Sequence, residues 1–101
     1  MAVRPSPHNL EAEKSVLGSC FLSNNALLMA IEALDETDFY DARHAKIFTA
    51  LKKLVEEKTP VDLTTLTTEL TKLNYLNDVG GVAYLTEITT FVPTATNVEY
   101  Y

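Results

Sequence analysis

Two adjacent glycines, Gly80 and Gly81 in "NDVGGVAYL" (77–85), raise the first question of chemistry, because paired glycines ahead of an apolar helix can cradle a phosphate. A phosphate loop also needs a lysine and a hydroxyl residue directly behind the glycines. Val82, Ala83 and Tyr84 follow instead, and no lysine occurs between Gly81 and Tyr101. The dinucleotide pattern G-x-G-x-x-G fails as well, and no strand pattern precedes the pair. The glycines read as the start of a helix beside a close helix contact.

The other reactive side chains are equally poor in sites. Cys20 lies in "VLGSCFL", whose apolar neighbours point to a small buried residue rather than an activated thiol. His8 falls in a proline-containing arm, and His44 is expected on the exposed start of a helix. With Cys20 they form no ligand set of recognisable spacing. Asp35, Glu36, Asp38 and Asp41 crowd one turn but lack the glycine and closing glutamate of a calcium loop. Capping and solvation are their ordinary work. Arg43, Lys46, Lys52, Lys53 and Lys58 are five of the eight basic residues. Arg43, Lys46 and Lys53 fall close to one helix face, either as a docking strip for an acidic partner or single-stranded DNA, or as a solvated face. In the second case Lys52–Glu56 and Lys53–Glu57 are i,i+4 pairs.

The elements that must carry these residues follow from apolar spacing. Residues 1–8 read as a flexible arm. Asn9 caps a helix over 10–22, with Leu10, Lys14, Leu17 and Phe21 on one face and Val16 and Cys20 beside them. A second helix starts near "SNN" and carries Leu27, Leu28, Ile31 and Leu34. "DETDFYDARH" (35–44) is a turn anchored by Phe39 and Tyr40, after which Asp41 caps a third helix with Ile47, Phe48, Leu51, Leu54 and Val55 as its stripe. Asp62 caps a fourth. Its threonines favour a strand, but Leu63, Leu66, Leu70 and Leu73 keep helical period, so the threonines face solvent. Gly80 or Gly81 opens a fifth helix with Val82, Leu85, Ile88 and Phe91 inward, and Pro93 breaks it. "TATNVEYY" begins a sixth. The expected fold is all-α: a small orthogonal bundle of five to six short helices.

Composition agrees with one small domain. The chain has 101 residues, 47% hydrophobic and 22% charged, with net charge −6 and a pI near 4.7. That acidity argues against a domain whose main task is gripping phosphate backbones. One cysteine excludes an internal disulfide, and "MAVRPSPHN" has no apolar core of a secretory signal, so a cytoplasmic setting is expected.

The ordered blocks "PHNLEAEKSVLGSCFL", "DFYDARHAKIFTAL", "TPVDLTTLTTEL", "VGGVAYLTEI" and "VPTATNVEYY" closely resemble the N-terminal domain of the DnaB-type bacterial replicative DNA helicases, over about residues 7–101. The resemblance implies a helical head over 9–93 and, at 94–101, the truncated start of a helical hairpin. It implies a non-catalytic part of a hexameric, nucleoid-associated helicase that unwinds DNA at the replication fork. ATP and Mg belong to a separate motor domain, and no cofactor is expected here. Head domains of that family pair and form a collar on which primase docks. A loader and DNA engage the full-length protein. By that likeness Val82, Tyr84 and Phe91 are candidates for the head-to-head contact, and Arg43, Lys46 and Lys53 for the partner strip. Position 82, often Phe or Leu in the family, is Val here, which weakens a contact made there. The rival readings are a free-standing helix-turn-helix module, which the acidic charge opposes, and a decoy that mimics the helicase head.

Overall fold

The computed structural model describes residues 10–91. Among them are five α-helices, a 3-10 turn and no strand: α1 (Leu10–Leu22), α2 (Asn24–Ala33), the turn Glu36–Asp38, α3 (Ala42–Glu56), α4 (Leu63–Lys72) and α5 (Gly81–Thr90). The expected arm, the Asn9 cap, Pro93 and the hairpin start lie outside the described residues.

Each start has a local cause. Ser23 accepts from the Ala26 amide at the head of α2, and Asp41 accepts from the Arg43 amide at the head of α3. Asp35 and Asp38 form a reciprocal capping box around the 3-10 turn, and Asp62 and Thr65 form one at α4. In α4, Thr67 and Thr71 return their hydroxyls to carbonyls one turn back, which lets threonine sit in a helix without an unpaired group. Gly80 (φ 100°) and Gly81 (φ 73°) both take left-handed backbone, the conformation that starts α5 where no side chain caps it.

The helices close around Leu17, Leu27, Ile47, Phe48, Leu51, Leu66, Leu70, Leu85 and Ile88, all essentially inaccessible. Helix α1 packs on α2, α3 and α5, while α3 packs on α4 and the 3-10 turn, and α4 reaches α5. Cys20 joins this core. Burial pushes its thiol up to about 11.

Four expectations need correction. Phe39 turns inward against Phe48, with ring centroids 5.0 Å apart, but Tyr40 is exposed rather than in the core. Val82 points outward, because the pitch that buries Leu85 and Ile88 leaves its side of α5 in solvent. Lys52 pairs with Glu36 (2.9 Å) and Asp35 (3.7 Å) across the 3-10 turn rather than with Glu56 one turn along. His44 is buried, not exposed. It lies three and four residues before Ile47 and Phe48, on the buried stripe of α3. Glu69 is a further polar group in the core. Its Oε1 lies 3.5 Å from Lys72 Nζ, and its Oε2 has no hydrogen-bond partner among the described residues.

Candidate interaction surface and its buried polar centre

Where α1, the start of α3 and α5 meet, a polar centre is built through the core wall. The His44 ring is fully buried and both its nitrogens are engaged. Nδ1 lies 2.7 Å from Glu13 Oε1 on α1, and Nε2 lies 2.6 Å from the Tyr84 hydroxyl on α5. The Glu13 carboxylate also accepts from the backbone amides of Tyr40 and Asp41, so it holds the turn entering α3 as well as the ring. A buried imidazole is tolerable only when its polar atoms are met, and here α1 and α5 meet them.

Directly outside this centre the side chains become a layer of cations on aromatic faces. The Arg43 guanidinium lies 4.2 Å from the centre of the Tyr84 ring and folds back on Asp41, with Nε 3.1 Å from Oδ1 and Nη2 2.7 Å from Oδ2. This hydrogen bonding holds the Asp41 carboxyl below its usual range. Lys14 donates to Glu87 at 2.6 Å, which raises the ammonium and lowers the carboxyl. Its Nζ also lies 5.3 Å from the Phe91 ring centre. Lys46 makes the same kind of contact, 5.2 Å above Tyr75 and 3.1 Å from Asp78. Tyr84 is pushed up chiefly by burial.

These contacts sort the candidate residues. Arg43 and Tyr84, assigned from sequence to two different surfaces, are in contact with each other. Arg43 and Lys46 each have a carboxylate of their own chain, whereas Lys53, further along α3, is exposed. Val82 stands free on α5 with almost half its surface exposed. Phe91 is partly buried beneath Lys14. Sequence reasoning missed Glu13, Lys14 and His44. The available signal was position: Glu13 lies one turn before Leu17, and His44 one turn before Ile47 and Phe48, so each polar residue falls on a buried stripe. Among the described residues no group of histidine, cysteine, aspartate and glutamate is placed to hold a metal ion, and no helix is long and apolar enough to cross a membrane.

The polar centre takes Glu13 from the "EAE" block, His44 from "DARH" and Tyr84 from "VGGVAYL", one residue from each of three separate motifs. The whole chain bears the same likeness. A family model described as the DnaB-like helicase N terminal domain matches residues 5–101. The chain is 49% identical over 98 residues to the replicative DNA helicase DnaC of Bacillus subtilis (strain 168), covering 97% of this chain and 22% of that protein. The replicative DNA helicase DnaB of Geobacillus stearothermophilus matches to the same extent, 49% over 98 residues and 22% of its length. Among solved structures, the N-terminal domain of DnaB helicase from Mycobacterium tuberculosis superposes with a TM-score of 0.83 at 37% identity, covering 96% of this chain and 70% of that one. The chain spans about a fifth of the length of these curated relatives. With motif blocks, helix order and fold in agreement, the chain belongs to the DnaB-like helicase N-terminal domain family.

Proposed function

We propose that this chain is a non-catalytic head of a replicative DNA helicase, serving in collar assembly and as a landing surface for primase. The observation that carries the reading is the family match across residues 5–101, together with a match that covers 22% of the Bacillus subtilis and Geobacillus stearothermophilus helicases. Strand separation, ATP and Mg then belong to a motor domain elsewhere in the parent protein, and DNA and a loader engage that larger protein in the cytoplasm. Exposed Val82 on α5 supports a head-to-head contact at that helix. It is a small anchor, so the isolated chain is a monomer or weak dimer. Exposed Lys53 is the member of the basic strip best placed for an acidic partner.

The test is capture of a primase C-terminal domain by the wild-type chain and by Lys46→Glu/Lys53→Glu. Loss of capture in the variant supports docking on the strip, and unchanged capture removes the strip from the reading. Sedimentation at about 10–100 µM checks assembly, since dimer contacts held by one small apolar anchor are weak. A tight hexamer formed by this chain alone contradicts it. Salt-dependent binding of short DNA by the isolated chain favours a DNA-binding module instead.

A further inference from the structure

We propose that Glu13, His44 and Tyr84 form a proton-operated latch, in which the protonation of a buried imidazole reverses the hydrogen bond to Tyr84 and loosens the hold of the Tyr84 ring on the Arg43 guanidinium. The inference stands apart from the proposed function.

The hydrogen-bond inventory defines two states. A carboxylate only accepts, so Glu13 fixes a proton on His44 Nδ1. In the neutral ring Nε2 then has only a lone pair and accepts from the Tyr84 O–H, 2.6 Å away. Every polar atom of the ring is satisfied. When the ring takes up a proton, Nε2–H becomes a donor and Tyr84 Oη must accept. The Tyr84 hydroxyl proton then has to turn off the His44 axis and find a new acceptor. A single proton therefore reverses the direction of the bond that ties α3 to α5. Because both nitrogens are buried and held, the ring cannot avoid the reversal by rotating into water.

The surrounding charges carry that event to the surface. From α1 come Glu13 and Lys14, from the start of α3 Asp41 and Arg43, and from α5 Tyr84 and Glu87. An imidazolium is attracted by Glu13, Asp41 and Glu87 and repelled by Lys14 and Arg43. Arg43 shares the Tyr84 ring with it, at 4.2 Å from the ring centre. A second positive charge at the Tyr84 hydroxyl weakens the hold of that ring on the guanidinium, which stays anchored to Asp41. The Arg43 side chain is 41% exposed. What is written at the buried nitrogen is displayed at a solvent-facing cation.

The experiment is nuclear magnetic resonance of the isotope-labelled chain through an acid titration from about pH 8 to about pH 5. The His44 ring nitrogens should pass from one bound proton on Nδ1 to two, with Tyr84 ring and Arg43 Nε–H signals moving over the same interval. In Tyr84→Phe, which keeps the ring under Arg43 and removes the hydroxyl bonded to His44, the Arg43 response should shrink, and an undiminished response overturns the latch. In His44→Gln, Tyr84 and Arg43 should stay flat with pH. Still signals at Tyr84 and Arg43 while His44 changes charge overturn the latch, as does a His44 ring that keeps one state throughout. Should His44→Gln fail to fold, the wild-type and Tyr84→Phe titrations decide the question.

Discussion

A Cβ placed on Gly18 would sit 2.7 Å from the carbonyl oxygen of Phe91 and 3.1 Å from that of Ile88. Helix α1 therefore crosses the end of α5 with backbone against backbone. Two effects compete in Gly18→Ala. Helix propensity favours alanine by about 1 kcal/mol, but the crossing can admit a methyl group only by displacing main-chain carbonyls, at a cost of about 1–3 kcal/mol. Sterics win, because carbonyls of a packed helix end cannot swing aside like a flexible side chain. Gly18→Ala should lower the urea midpoint with little change in the slope of the transition. A raised midpoint would mean that the crossing has slack.

Glu13 meets three donors at once: His44 Nδ1–H and the amides of Tyr40 and Asp41. Glu13→Ala leaves them without that acceptor, and each unmet buried donor costs about 1–3 kcal/mol. Tyr40 and Asp41 lie near the surface, where water replaces part of the loss, so the expected destabilisation is about 2–3 kcal/mol. Glu13→Gln keeps an acceptor oxygen and should recover part of it. Equilibrium denaturation of the two variants checks this, and equal stability of Glu13→Ala and wild type would contradict it.

How far the sequence reveals this structure depends on what each residue interacts with. Leu63, Leu66, Leu70 and Leu73 announce their helix because periodicity is local, and Asp41 and Asp62 announce their caps because a capping bond spans two or three residues. Val82 and Tyr40 face outward against expectation because apolar character alone does not say which way a short element faces. The polar centre was hidden for a different reason. Glu13 and His44 are 31 residues apart, and His44 and Tyr84 are 40 apart, so nothing local pairs them. Lys52 shows the same limit, since its carboxylates come from the 3-10 turn and not from its own helix.

The two lysines of the strip should respond differently to charge reversal. Lys53 is exposed, and Lys53→Glu should leave stability within about 0.5 kcal/mol of wild type. Lys46→Glu removes the contacts with Asp78 and Tyr75 and sets two carboxylates side by side. Both partners are partly solvated, so the cost is about 0.5–1 kcal/mol and shrinks in high salt. Thermal melts at low and high ionic strength separate the two. The comparison also shows whether a loss of primase capture in the double variant reflects binding or folding.

Cys20 gives the chain a definite alkaline response. Its native thiol is raised from 9.0 to about 11 by burial, while in the unfolded chain it ionises near its ordinary value. The folded-state value is the higher one, so the contribution is complete below about pH 8.5 and is lost as pH rises. Between those limits the unfolded chain releases a proton that the native chain keeps, which favours unfolding by about 2–3 kcal/mol in total. Cys20→Ser removes the thiol and keeps a donor for the Val16 carbonyl, which the native Sγ meets at 3.3 Å. Other groups titrate in the same range, so the quantity to measure is the difference in urea stability between wild type and Cys20→Ser from about pH 8 to pH 10.5. The wild type should lose stability faster, by up to about 1.4 kcal/mol per pH unit. Parallel curves for the two proteins would show that the thiol ionises as readily in the core as in the unfolded chain.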